Sequence, residues 1–103
     1  MTINWQEIRD KSGIHDSGNG KCKKWCIEAL ANEEVASTYS ACVSVLNSLG
    51  ATVFEEHWFL FDGKNVSDGT CGQYDHEYPL GYYGPISEAP DKLRVIYKIG
   101  RSI

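Results

Sequence analysis

The sequence predicts an α+β domain, with N-terminal helices packed on one face of a small antiparallel sheet of about three to four strands in the C-terminal half. Apolar residues recur at helical spacing through the first half of the chain, whereas the second half holds alternating and β-branched segments around an Asp-Gly pair. Helices and strands segregated in this way favour an α+β architecture over alternating βαβ units. A length of 103 residues is typical of one domain, so residues 1–103 are expected to form a single globular unit.

The chain begins with a predicted short helix over residues 3–11, because Trp5 and Ile8 lie on one side of it. Thr2 or Asn4 is a suitable N-cap. The glycines and short polar residues that follow, in residues 12–20, predict a loop.

Residues 21–49 give the strongest helical signal. They carry two apolar stripes that do not join smoothly, which indicates two helices or one helix kinked near Asn32. Asn32 precedes two glutamates and is therefore a good N-cap, while Gly50 is a good C-terminal stop. The first stripe contains Cys22, Trp25, Cys26, Ala29 and Leu30, and the second contains Val35, Tyr39, Cys42, Val43, Leu46 and Leu49.

The second half of the chain predicts strands. Residues 53–61 are rich in β-branched and aromatic side chains, and the Asp-Gly pair after them favours a hairpin that pairs them with residues 64–68. Residues 69–91 contain all three prolines and are expected to be mostly irregular, with room for one short strand. Residues 92–99 alternate apolar and polar side chains, which predicts a half-buried closing strand.

Charge and targeting signals bound the possible partners. The net charge is −4, and the segment from Glu55 to Asp91 holds eight acids and one base, which gives it a charge of −7. This argues against direct nucleic-acid binding and favours a basic protein partner. No signal peptide and no apolar run of about 20 residues is present, so the expectation is a cytosolic protein without a membrane segment.

The four cysteines offer a zinc site as one alternative. Cys22 and Cys26 would share a helix face and, with Cys71 and one of His15, His57 or His76, supply sulfur and nitrogen ligands. However, Cys22, Cys26 and Cys42 coincide with the apolar stripes, and reduced cysteine behaves as a small buried hydrophobe. We therefore expect core thiols, no metal and no cofactor.

A small histidine-dependent hydrolase is the second alternative. His57 and His76 both stand beside acids and would form an acid–base pair if the loop folded over the hairpin. The sequence contains no nucleotide-binding or serine-nucleophile motif, and the acidic segment offers little to bind phosphate. We therefore expect a protein that is not an enzyme and has no catalytic residues.

A tyrosine-rich acidic surface is the favoured functional feature, because tyrosine and acids suit an interface with a basic protein. The residues expected to contact the partner are Glu55, Glu56, Asp68, Tyr74, Asp75, Glu77, Tyr78, Tyr82 and Tyr83.

By size, charge and aromatic content, the chain resembles bacterial toxin-immunity proteins, which neutralise nuclease toxins, and also phage-encoded inhibitors of host defence systems. This is a resemblance of class, carried by no motif. It implies an acidic cytosolic inhibitor that occludes a basic partner, most simply a nuclease toxin.

Overall fold

A computed structural model describes residues 3–15, 18, 20–47 and 54–103. The helices are α1 (Trp5–Lys11), α2 (Cys22–Leu30), α3 (Glu33–Thr38) and α4 (Asp91–Lys98). The strands are β1 (Ser40–Asn47), β2 (Phe54–Phe61), β3 (Asn65–Asp68), β4 (Tyr82–Pro85) and β5 (Arg101–Ser102), and single 3₁₀ turns span Cys71–Gln73 and Ile86–Glu88. The longest of these helices has nine residues, and none in the described ranges is long and apolar enough to cross a membrane.

The strands form one antiparallel sheet in the order β4-β3-β2-β1-β5. The α+β class predicted from the sequence is confirmed, although the sheet has five strands rather than three to four. The β2–β3 hairpin is also confirmed, with Phe61 opposite Val66 and the Asp62 side chain accepting hydrogen bonds from the turn amides of Lys64 and Asn65.

The sheet separates two apolar cores, because successive side chains of a strand point to opposite faces. On one face, Leu60 packs against Trp25 and Val35 of the N-terminal helices. On the other face, Phe59 packs against Leu93 and Tyr97 of α4. The three N-terminal helices therefore share one face, as expected, while α4 covers the opposite one.

The predicted caps of α1 and α3 are present. The Asn4 side chain accepts a hydrogen bond from the Glu7 amide, and the Asn32 side chain accepts from the amides of Glu34 and Val35. Each bond satisfies a first-turn amide that has no partner inside its helix. Local side-chain chemistry is thus enough to place these helix starts.

The predicted second helix of residues 21–49 is wrong beyond Thr38. Helix α3 ends there, and residues 40–47 form β1, the strand that pairs with β2 along its whole length. Cys42 and Ser44 are buried on the α4 face of the sheet, with Ala41 on the other face, which is a period of two rather than 3.6. Leu49 and the proposed stop at Gly50 lie outside the described residues.

The predicted closing strand is also wrong, because residues 91–98 form helix α4. Asp91 lies in its first turn, directly after Pro90. Leu93, Ile96 and Tyr97 are buried at i, i+3 and i+4, which is the spacing of one helix face. The alternating Val95 is 62 % exposed.

Val95 gives a test of the helical assignment, because it is exposed and substitutions there report backbone preference. Val95→Ala should leave the free energy of unfolding unchanged or slightly higher, and Val95→Gly should lie about 1 kcal/mol below Val95→Ala. Urea denaturation measures both. In a strand the order would differ, since valine is favoured over alanine there, and a loss in Val95→Ala would contradict helix α4.

Candidate functional site

A buried carboxylate lies at the centre of the candidate site. Asp68 is the last residue of β3, and its side chain is fully buried on the α4 face of the sheet. Its Oδ1 atom accepts hydrogen bonds from the Thr70 amide at 3.1 Å and, more weakly, from the Thr70 hydroxyl at 3.4 Å. An isolated buried carboxylate would cost several kcal/mol, so these donors and those on Oδ2 are a condition of the fold.

His57 is the charged partner of this carboxylate. It lies on β2 and faces the same side of the sheet, with its Nε2 atom 2.7 Å from Asp68 Oδ2 and no exposed surface on either side chain. Burial by itself would lower the pKa of His57. The charge and hydrogen bond of Asp68 outweigh this and raise the pKa of His57 to about 9.

The thiol of Cys22 reaches the same place from the other side. Cys22 is the first residue of α2, and its Sγ atom donates to the Glu56 carbonyl at 3.8 Å, which puts the sulfur against the β2 backbone next to His57. The thiol and the imidazole are close enough to influence each other's pKa. Burial would raise the pKa of Cys22, but the imidazole of His57 and the amide of Trp58 stabilise the thiolate, so that this pKa is lowered overall.

In this arrangement the imidazole of His57 interacts with the carboxylate of Asp68 on one side and with the thiol of Cys22 on the other. Because Nε2 of His57 is held by Asp68, Nδ1 is the ring nitrogen left to interact with Cys22. Among the described residues, Nδ1 has no hydrogen-bond partner at normal distance. A nucleophile, a base and a group that orients the base form the arrangement by which acyl-transfer enzymes activate a nucleophile on many unrelated folds.

The start of α2 adds electrostatic support at the sulfur. Lys21 occupies the N-cap position and provides no side-chain cap in the described chain, while the Lys23 amide stabilises the Cys22 thiolate. First-turn amides have no partner within a helix and carry the positive end of its dipole. They therefore favour negative charge beside Cys22.

Two tyrosines complete the surroundings of His57 and Asp68. The ring of Tyr74 meets the imidazole of His57 edge-on, with ring centroids 4.8 Å apart, and it is half-buried at the border of the site. The Tyr97 hydroxyl, from α4, donates to Asp68 Oδ2 at 3.0 Å. The site thus draws on β2, β3, α2, α4 and the turn after β3.

The segment after Asp68 is held by the N-terminal part of the chain. Gly69 lies under the indole of Trp25, where an added Cβ would stand 2.2 Å from the indole nitrogen. The buried Arg9 side chain of α1 donates to the Gly69 carbonyl. Gly18 has φ +80° and lies against Thr70, where a Cβ would be 2.7 Å from Cγ2. Packing around Gly69 therefore positions both Asp68 and Thr70.

The expected contact surface is only partly at the surface. Asp68 is fully buried, and Asp75 and Tyr82 retain 5 % and 8 % of their exposure, so these three side chains have little or no area to offer a partner. Their removal corrects the contact set predicted from the sequence. The half-buried members are Tyr74, Tyr78 and Tyr83, and the exposed ones are Glu55, Glu56 and Glu77.

The two-histidine and metal alternatives find little support. His57 pairs with Asp68, whereas His76 is exposed and lines a shallow pocket with Glu77 and Lys92. Over residues 3–15, 18, 20–47 and 54–103, no group of three or more histidine, cysteine or acidic side chains is arranged to hold a metal ion.

The sequence predicts Cys22 to be a core thiol and Asp68 to be a surface acid that contacts the partner. One sequence feature did indicate a reactive thiol at Cys22, because the start of a helix is the usual position of a cysteine with a low pKa. No local signal identified Asp68, because two of its partners, His57 and Tyr97, come from distant parts of the chain.

Comparison of the chain with protein-family models, curated proteins and solved structures finds no match. The chemistry assigned to the site therefore depends on its own geometry.

Selective labelling tests the lowered pKa of Cys22. Burial raises the pKa of Cys26, Cys42 and Cys71, so Cys22 should react with iodoacetamide at pH 7.5 at least about tenfold faster than these three. Peptide mass spectrometry of the folded protein measures all four rates together. Asp68→Asn should slow labelling of Cys22 specifically, and equal rates at the four thiols would contradict the assignment.

Proposed function

We propose that the protein is a cysteine-dependent acyl-transfer enzyme that hydrolyses an ester, thioester or amide bond. The observation that carries the proposal is the order Cys22, His57, Asp68. In it, a thiol at a helix start lies beside an imidazole whose other nitrogen is held 2.7 Å from a fully buried carboxylate. Cys22 is the nucleophile, His57 the general acid and base, and Asp68 the group that orients the imidazole.

The first half-reaction forms an acyl-enzyme. The Cys22 thiolate attacks the carbonyl carbon, and the negative charge that develops on the carbonyl oxygen is stabilised by first-turn amides of α2. The imidazolium of His57 then gives its Nδ1 proton to the departing alcohol, thiol or amine. The bond to the leaving group breaks, and a thioester to Cys22 remains.

The second half-reaction releases the acid. A water molecule loses a proton to Nδ1 of the now neutral His57 while its oxygen attacks the thioester carbon. The thiolate leaves as the carbon–sulfur bond breaks, and the ion pair of Cys22 and His57 is restored. Asp68 keeps Nε2 protonated throughout and so leaves Nδ1 to carry the transferred proton.

A reducing compartment suits this chemistry, because the nucleophile must remain a thiol. All four cysteines are free and buried. We therefore keep the cytosol, where thiols are maintained in reduced form, as the proposed location.

Replacing the nucleophile is the direct test. In Cys22→Ala, turnover of an activated ester such as p-nitrophenyl acetate should fall at least about 100-fold, while Cys26→Ala should stay within about threefold of the parent. Cys26 is a matched control, since it lies one turn further along α2, is buried, and has a pKa raised by burial. Release of p-nitrophenol measures the rate, and equal turnover in the two variants would sink the proposal.

The pH dependence of turnover provides a second test. Burial lowers the pKa of His57, but the charge and hydrogen bond of Asp68, with a smaller contribution from Cys22, raise it overall from its ordinary value of 6.5 to about 9, so the imidazolium persists through neutral pH. Activity should therefore fall as the pH rises through about 9, where the proton for the leaving group is lost. In Asp68→Asn the same limb should move toward 6.5. A wild-type limb near 6.5 would mean that Asp68 does not set the charge of His57.

The acidic inhibitor expected from the sequence is the second candidate. It is supported by the exposed carboxylates of Glu55, Glu56 and Glu77, which suit contact with a basic nuclease toxin, or with a host defence or nucleic-acid-binding complex inhibited by a phage protein. An inhibitor that acts by occlusion needs no thiol. A toxin inhibited as well by Cys22→Ala as by the parent, combined with no ester turnover by either, would favour this candidate.

A further inference from the structure

We infer that Tyr97 is a positioning residue of the thiol site, which orients the Asp68 carboxylate and through it the imidazole that serves Cys22. The inference rests on the proposed thiol chemistry and adds to it a residue from α4 that touches neither sulfur nor substrate. Its basis is the hydroxyl of Tyr97, which donates to Asp68 Oδ2 at 3.0 Å inside the apolar core.

The two oxygens of Asp68 are held by different elements. Thr70 binds Oδ1, whereas Oδ2 receives both His57 Nε2 and the Tyr97 hydroxyl. Without that hydroxyl, His57 is the partner of Oδ2 that remains among the described residues, and the carboxylate can rotate with the imidazole. With the Tyr97 hydroxyl in place, both carboxylate oxygens are fixed, and the imidazole can align only in the direction that leaves Nδ1 for Cys22.

The ring of Tyr97 is held independently of its hydroxyl. Its centroid lies 5.0 Å from that of Phe59 and 6.2 Å from that of Tyr82, and the residue is 3 % exposed. Tyr97→Phe therefore removes the hydrogen bond and keeps the packing. Tyr82→Phe is a matched control, because Tyr82 is also buried in this core but its hydroxyl donates to the Pro85 carbonyl.

Other titratable groups around the site do not obscure the measurement. Burial raises the pKa of Cys26 on α2, Cys71 and Tyr74 at the turn after β3, and Tyr83 on β4, so these groups stay neutral at pH 5–8. Burial raises the pKa of Tyr97, and Asp68 and Cys71 raise it further, so the Tyr97 hydroxyl also stays neutral over this range. Besides Asp68, the charged side chains that act on these groups are Glu55 on Tyr74, Asp75 on Cys71 and Arg9 on Tyr83, and all three are unchanged in both variants.

The test is the pH profile of Cys22 alkylation by iodoacetamide in the parent, Tyr97→Phe and Tyr82→Phe. A hydrogen bond to a charged group is worth about a tenfold change in an equilibrium. The midpoint of the Cys22 profile in Tyr97→Phe should therefore rise by about one pH unit, with about tenfold slower labelling below the midpoint. Tyr82→Phe should match the parent. Equal midpoints for the two variants would overturn the inference.

Two further measurements separate positioning from loss of structure. Labelling of Cys26, Cys42 and Cys71 reports opening of the fold. If these three cysteines react in Tyr97→Phe, the pH profile of Cys22 alkylation is measured again in sucrose, which favours the folded state. The Cys22 midpoint in sucrose then decides whether Tyr97 positions Asp68. In an Asp68→Asn background, Tyr97→Phe should cause no further shift, since the carboxylate it positions is gone. An additional shift of similar size would overturn the inference.

The readout also keeps this inference apart from the proposed function. If the parent labels selectively at Cys22 but turns over no ester, the hydrolase proposal fails, whereas the alkylation profiles still decide whether Tyr97 positions Asp68.

Discussion

The burial of one carboxylate is the constraint on which this structure depends. Asp68 lies in the core with no exposed surface, where a charge is tolerated only if donors surround it. Its donors come from the strand beside it, from the turn after it and from the C-terminal helix, as His57, Thr70 and Tyr97. Satisfying this single charge therefore ties the hairpin to α4, and removing any one donor leaves a buried polar group with an incomplete set of partners.

The same constraint explains how a thiol site can be built in so short a chain. The hairpin presents His57 and Asp68 on the α4 face of the sheet, while α2 packs on the opposite face and begins where its first residue, Cys22, reaches the β2 backbone. The carboxylate raises the pKa of the imidazole, and the imidazole in turn lowers the pKa of the thiol. The same pair of His57 and Asp68 therefore both satisfies the buried charge and activates the sulfur.

The tyrosine-rich segment takes on a different meaning in this setting. Tyr82 packs in the α4 core, and Tyr74 lies edge-on to His57, so both contribute to the interior that surrounds the charged pair. Tyr83 stacks on Trp5 with ring centroids 5.1 Å apart, on the helical face. These rings hold an irregular segment to both faces of the sheet. The exposed acids nearby, such as Glu77, remain available for a partner or a substrate.

Sequence by itself determined the α+β class, the helix starts at Asn4 and Asn32, and the β2–β3 hairpin, because caps and turns are local interactions among neighbouring residues. It did not determine that residues 40–47 form a strand or residues 91–98 a helix, since apolar side chains spaced as they are there fit either period until neighbouring elements select one. Tertiary structure alone decided the site. The sequence predicts Asp68 as a surface acid and Cys22 as a core thiol. Only the packing of α2, α4 and the hairpin brings both residues to His57, where burial strengthens their electrostatic interaction.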